Sequence, residues 1–149
     1  LVILTISDID RRMKGGPVQM ARNRSRSAEG FEENMKKAFT EMLVLLLLSE
    51  RDHYIGELSD AIVERSGHTI LIRRPYAVIL RLAEANPPYV DEVKRREGPE
   101  ARIRQYYSIT EAGREYLAEL REAYHRYTAA IDLMLKEVER GDKITWMSR

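Results

Sequence analysis

Arg73, Arg74, Arg81, Lys94, Arg95, Arg96, Arg102 and Arg104 crowd one part of the chain, with Tyr76 and Tyr106 among them. A guanidinium offers paired, planar donors that match phosphate oxygens or the edge of guanine, and lysine adds a point charge for phosphate. Between Arg65 and Arg81 there is no acid. The formal net charge of the whole chain is only +1, so attraction to nucleic acid must rest on this local cluster. For any one arginine the plainer reading is a solvated surface charge. Tyr106 and Tyr107 also read two ways, one ring packing inward and the other reaching a phosphate or a backbone carbonyl.

Several elements would have to hold these side chains in place. Arg74 to Ala85 reads as a short basic helix, with Pro75 in its first turn, where a missing N–H costs little. Asn86-Pro87-Pro88 ends it. A hairpin follows, with strands Tyr89 to Lys94 and Arg102 to Ile109 around a tip at Arg95 to Glu100. Alternation puts Ile103, Gln105, Tyr107 and Ile109 on one side, and Arg102, Arg104, Tyr106 and Ser108 on the other. His68 to Ile72 favours an extended path, with a short strand pairing to the hairpin. A basic helix followed by a two-stranded wing is the outline of a winged helix-turn-helix, which sets a helix in the DNA major groove and a wing on the flanking backbone.

Residues 1–30 read as a flexible tail. Gly15-Gly16-Pro17 breaks regular structure, and Ala21 to Ser27 alternates arginine with small polar residues. That segment is either a basic arm that follows phosphates or a leader without a role. Phe31 to Ser49 and Glu57 to Ser66 have helical spacing, the first buried on most sides and the second stopped by Gly67. Residues 31–110 then form the winged domain. Thr110 caps a last helix, residues 111–140, followed by a tail at 141–149 that holds Trp146. From Gly113, the residues Leu117, Leu120, Tyr124, Tyr127, Ile131, Met134 and Val138 alternate spacings of four and three. So long an apolar seam predicts a partner, most simply the same helix of a second copy. Tyr116, Tyr124, Tyr127 and Met134 read either as core packing or as the lining of a pocket at that seam.

Other classes find little support. There is no cysteine, which excludes disulfides and thiolate chemistry and agrees with a reducing cytoplasm. His53, His68 and His125 lack metal-ligand spacing and read as surface or cap residues. No nucleophile elbow, phosphate-binding glycine loop or paired-carboxylate signature occurs, so neither an enzyme nor a cofactor is expected. No stretch approaches the roughly 18 apolar residues of a membrane span, and Leu1 to Ile6 is too short for a signal-peptide core, so no export is expected. The competing reading is a winged-helix protein-interaction module without DNA readout, which an acidic or apolar face on the short basic helix would favour.

From Lys36 to Leu120 the chain resembles the PadR family of bacterial transcriptional regulators. Glu41 to Leu48 matches an apolar first helix, and His53 to Leu58 looks like the family's Tyr-Gly-Tyr-Glu-Ile/Leu. Tyr76 to Leu82 sits where the family has Leu-Tyr-Pro and an Arg-Leu pair. Most specific is Arg102-Ile-Arg104-Gln-Tyr106-Tyr107-Ser-Ile109-Thr110-Glu-Ala-Gly113, which follows Arg-x-Arg-Lys-Tyr-Tyr-x-Ile/Leu-Thr-x-x-Gly. The chain departs at Ile55-Gly56, at Ala77, and at Glu84 to Pro88, which replaces a Glu-rich turn ending in glycine, so a rebuilt turn before the wing is expected. The resemblance implies a cytoplasmic homodimeric repressor on a palindromic operator in double-stranded DNA, and it allows a small aromatic effector. It places Tyr76 at the groove-facing end of the helix, and Lys94, Arg95, Arg96, Arg102 and Arg104 on the wing.

Overall fold

The computed structural model describes residues 27–100 and 102–141. Most of the tail expected at 1–30, with its basic arm, and nearly all of the tail at 141–149, with Trp146, lie outside the described residues. The elements run α1 (Ala28–Glu50), α2 (Ile55–Arg65), α3 (Pro75–Glu84), β1 (Val90–Glu97), β2 (Arg102–Ile109) and α4 (Glu111–Glu139). Two structural units divide the chain, residues 1–40 and 41–149. What is described of the first is the opening of α1, which begins inside the expected tail and carries an ion pair between Lys36 and Glu33 at 3.1 Å.

The second unit is organised around the apolar run of α1. Val44, Leu45, Leu47 and Leu48 are buried, and Met42, Leu43 and Leu46 are packed against the same core. So wide an apolar face must be met from several directions. Leu58 and Ile62 of α2 meet it, as do Val78, Ile79 and Leu82 of α3, Val90 of β1 and Tyr107 of β2. Each such side chain contributes about 1.5–3 kcal/mol of burial. Leu117 of α4 belongs to the same core.

α2 ends in a tight turn, where Gly67 takes φ +60° and His68 N–H donates to the Val63 carbonyl at 2.8 Å. The segment that follows does not form the expected strand. Residues 69–72 stay irregular because Ile70 and Ile72 turn inward onto the core. The hairpin instead gains a backbone bridge from His53, whose N–H and carbonyl pair with those of Tyr107 at 3.2 and 2.8 Å. His53 itself is a correction. It is buried, not on the surface, and neither ring nitrogen is hydrogen-bonded, although Nδ1 lies 3.3 Å from Glu57 Oε2.

The hairpin is longer than expected. β1 and β2 pair antiparallel from Val90 opposite Ile109 to Glu97 opposite Arg102. Arg95, Arg96 and Glu97, expected at the tip, extend β1, and Gly98 takes the turn with φ +76°. At the junction before β1 the Asn86–Pro87 peptide is cis, and Tyr89 N–H returns to the Leu82 carbonyl at 2.9 Å. α4 then starts on the expected cap, with Gly113 N–H donating to Thr110 Oγ1 at 3.0 Å.

Candidate nucleic-acid interface

α3 is presented by burying Val78, Ile79 and Leu82, which leaves Tyr76 and Leu80 exposed on the other side. Pro75 occupies its first turn, and that turn has no acid. The unpaired N–H groups at such an end carry partial positive charge, and exposed Arg73 and Arg74 stand just before it. Among the described residues neither arginine makes an ion pair. Arg81 differs: its Nε lies 3.4 Å from Glu41 Oε1. The other oxygen of Glu41 accepts from the Tyr116 hydroxyl at 3.0 Å. One carboxylate thus joins α1, α3 and α4. Burial and then this bond to Glu41 push the Tyr116 phenol up to about 12.

The wing has two unlike faces, because residues paired across an antiparallel hairpin share a side. On one face Arg95 lies opposite Arg104, and Val93 opposite Tyr106. Arg95 is ion-paired to Asp52, and its guanidinium sits 4.9 Å from the centre of the Tyr106 ring. Arg104 lies 4.2 Å over the Tyr54 ring and 3.7 Å from Glu97. Tyr54 and Tyr106 meet edge to face at 5.7 Å. Tyr106 donates its hydroxyl to Glu97 and is buried, so the expected contact to nucleic acid is not open to it. On the opposite face exposed Lys94 lies across from Gln105, and exposed Arg96 across from Ile103. Ile103 is exposed as well, so the expected separation of arginines from core-filling residues fails near the tip. Arg102 lies beside Glu100 at 3.3 Å, both well exposed. Tyr107 is fully buried on the inner side, and burial, then Glu92 and Tyr76, push its phenol up.

The apolar seam of α4 also splits. Leu117 is in the chain's own core, and Leu120, partly buried, packs against that core. Gly113, at the head of the seam, lies against the Tyr89 carbonyl. Tyr116 stacks on Tyr89 at 4.3 Å and packs, partly buried, against the same core. Farther on, Tyr124, Tyr127, Ile131, Met134 and Val138 are exposed. Leu135, which sequence reasoning passed over, is exposed with them. Its signal was the spacing of four from Ile131.

Asp52, Tyr54 and Glu41 were also missed, because their partners lie far along the chain and leave no local pattern, and Glu97 was missed because its partners Arg104 and Tyr106 come from the other strand of the hairpin. Among the described residues no group of His, Cys, Asp and Glu is placed to hold a metal ion, and no helix is long and apolar enough to cross a membrane.

No protein-family model matches the chain. It is 31% identical over 99 residues to an uncharacterized protein from Lysinibacillus sphaericus, covering 65% of this chain and 88% of that protein. The two belong to one family. Among solved structures, a PadR-like transcriptional regulator from Bacillus cereus superposes with a TM-score of 0.59, at 22% identity over 68% of this chain and 96% of that one. Its fold is that of the PadR family. A transcriptional regulator from Clostridium thermocellum gives the same TM-score at 26% identity, covering 66% of this chain and 95% of that chain. A PadR family transcription regulator from Clostridium difficile reaches 0.57 at 19% identity, covering 65% and 98%. In the terms of the PadR fold, α3 is the helix ahead of the wing and β1–β2 the wing.

Proposed function

We propose that the chain is a DNA-binding transcriptional regulator. The observation that carries this reading is a group of four exposed cations, at the start of α3 and on the wing, that have no carboxylate partner among the described residues. Arg73 and Arg74 precede α3, the recognition helix in this reading, and Lys94 and Arg96 line one wing face. Arginine ahead of a helix N-terminus suits phosphate and guanine together, and lysine and arginine on a wing suit the flanking backbone. Tyr76, more than half exposed at the start of α3, is the aromatic contact of the same end. The two PadR proteins named above are transcription regulators, a role that needs no catalytic step.

The finer reading is a cytoplasmic homodimeric repressor on a palindromic operator. The exposed seam of Tyr124, Tyr127, Ile131, Met134 and Val138 is where a second copy would pack, which would present two recognition helices to two half-sites. A small aromatic effector would act at that seam. The test is fluorescence anisotropy of the protein with the DNA upstream of its own gene and with a scrambled duplex of equal length, at low and physiological salt. Tight, strongly salt-dependent binding to the upstream fragment alone is expected. Equal or absent binding to both would refute sequence-specific regulation.

One observation favours the alternative, an interaction module without DNA readout. The exposed side of α3 carries Tyr76 and Leu80, with Leu71 exposed just upstream, and its own Arg81 is tied to Glu41. Binding to neither duplex would bring that apolar surface to the front.

A further inference from the structure

We infer that the two wing faces have separate duties: Arg95, Arg104 and Tyr106 form a clasp that holds the wing to the Asp52–Tyr54 segment, and Lys94 and Arg96 are left for phosphate. The inference rests on the DNA-binding reading only for its second half.

The register creates the problem that the clasp solves. Arg95 and Arg104 are direct cross-strand partners, and like charges so placed repel and loosen a hairpin. Here each cation is answered on the same face. Asp52 takes the Arg95 guanidinium, Glu97 lies 3.7 Å from that of Arg104, and the Tyr106 and Tyr54 rings lie under the two planes at 4.9 and 4.2 Å. The rings touch each other, and the Tyr106 hydroxyl closes the loop onto Glu97. Asp52 and Tyr54 flank His53, whose backbone already bridges to Tyr107. The side-chain contacts therefore extend that bridge outward along the wing. Each contact alone is weak at a surface, but all share partners, so they act as one set. A guanidinium stacked on a ring and paired to a carboxylate gives up both to reach a phosphate. Lys94 and Arg96 give up nothing comparable: Gln105 and Ile103 stand opposite them, and no carboxylate pairs with them among the described residues. Asp52, Tyr54 and Glu97 are then positioning residues, acting on DNA only through the wing.

The experiment compares two sets of variants of the full chain, Asp52→Asn, Tyr54→Leu and Arg104→Gln against Lys94→Gln and Arg96→Gln. The first readout is hydrogen exchange of the β1–β2 amides, which involves no DNA. The second is the salt dependence of binding to a mixed-sequence duplex of about 30 base pairs. The clasp variants should speed exchange of the wing amides by roughly threefold to tenfold without lowering the salt slope. The other two should each lower the slope by about 0.9 and leave exchange unchanged. Wild-type exchange rates in both Asp52→Asn and Tyr54→Leu would overturn the clasp, and Asp52→Asn serves even where Tyr54→Leu does not fold. A lowered slope in Arg104→Gln with unchanged exchange would make Arg104 a phosphate contact and overturn the division of faces. A wild-type protein that shows no salt-dependent binding would overturn the role given to Lys94 and Arg96 together with the DNA-binding reading. The exchange rates would still decide the clasp.

Discussion

Replacing Gly113 with alanine pits helix propensity against packing, and the structure fixes the sign. On an open helix the change stabilises by about 0.5–1 kcal/mol. A Cβ at position 113 would lie 2.1 Å from the Tyr89 carbonyl oxygen and 2.8 Å from Ile109 Cγ1. Nonbonded atoms rest at roughly 3.5 Å, so the start of α4 would have to move away by roughly 1 Å. The same carbonyl accepts from Thr110 N–H at 3.1 Å, and Thr110 Oγ1 both caps α4 and donates to the Pro88 carbonyl at 2.6 Å. Overpacking costs about 1–3 kcal/mol and a weakened cap about 1 kcal/mol. Set against the propensity gain, the net expectation is a loss of about 2 kcal/mol. Urea unfolding followed by circular dichroism reads this as a lower midpoint at unchanged slope. A variant as stable as the wild type would refute the close approach of α4 to the turn before the wing, and with it the packing described for Tyr89 and Tyr116.

Other expectations follow from the same geometry. The Tyr116 phenol is raised in the folded chain above the value near 10 of an unfolded tyrosine, so its stabilising effect is complete below about pH 10 and is lost as pH rises toward 12. Tyr116→Phe should therefore flatten stability over that alkaline window, and it should remove the latest tyrosine transition from a spectrophotometric titration. Ile131→Glu with Met134→Glu alters side chains that are both more than half exposed, so thermal unfolding of the winged unit should barely change. If α4 pairs with a second copy, sedimentation should show the variant as a monomer, and an unchanged oligomer would place the interface elsewhere. Arg73→Ala with Arg74→Ala should weaken duplex binding at least tenfold and lower the salt slope by nearly two, with the far-ultraviolet spectrum unchanged. Undiminished affinity would remove this end of α3 from the interface.

The elements were legible because their signals are local. Pro75 marked the start of α3, and Thr110 with Gly113 marked the start of α4. Alternation delimited β2, and leucine density set α1 at the centre. What stayed hidden were partners distant in sequence. Arg95 and Asp52 are 43 positions apart, and Tyr116 and Glu41 are 75 apart. The seam of α4 shows the limit most plainly. A heptad pattern says that Leu117 and Ile131 both need cover, but not that the first finds it in its own core while the second is left exposed. Ile103 misled because alternation assumes a buried face along the whole strand, whereas on its face burial reaches Tyr107 and leaves Gln105 and Ile103 exposed. His53 misled because a charged exit, Arg51-Asp52, suggested solvent where the backbone in fact turns in to meet Tyr107.

The carboxylate of Glu41 gives Arg81 a latent character. Its guanidinium lies on α3 and is well exposed, with one carboxylate oxygen of α1 3.4 Å away. A change of Glu41 to glutamine would leave the Tyr116 hydroxyl an acceptor and release that charge toward solvent. The helix would gain about one effective cation without a new basic residue, enough to steepen the salt dependence of binding by up to about 0.9. On the DNA-binding reading, grip would be tuned from α1, through a side chain that only withholds or yields a charge.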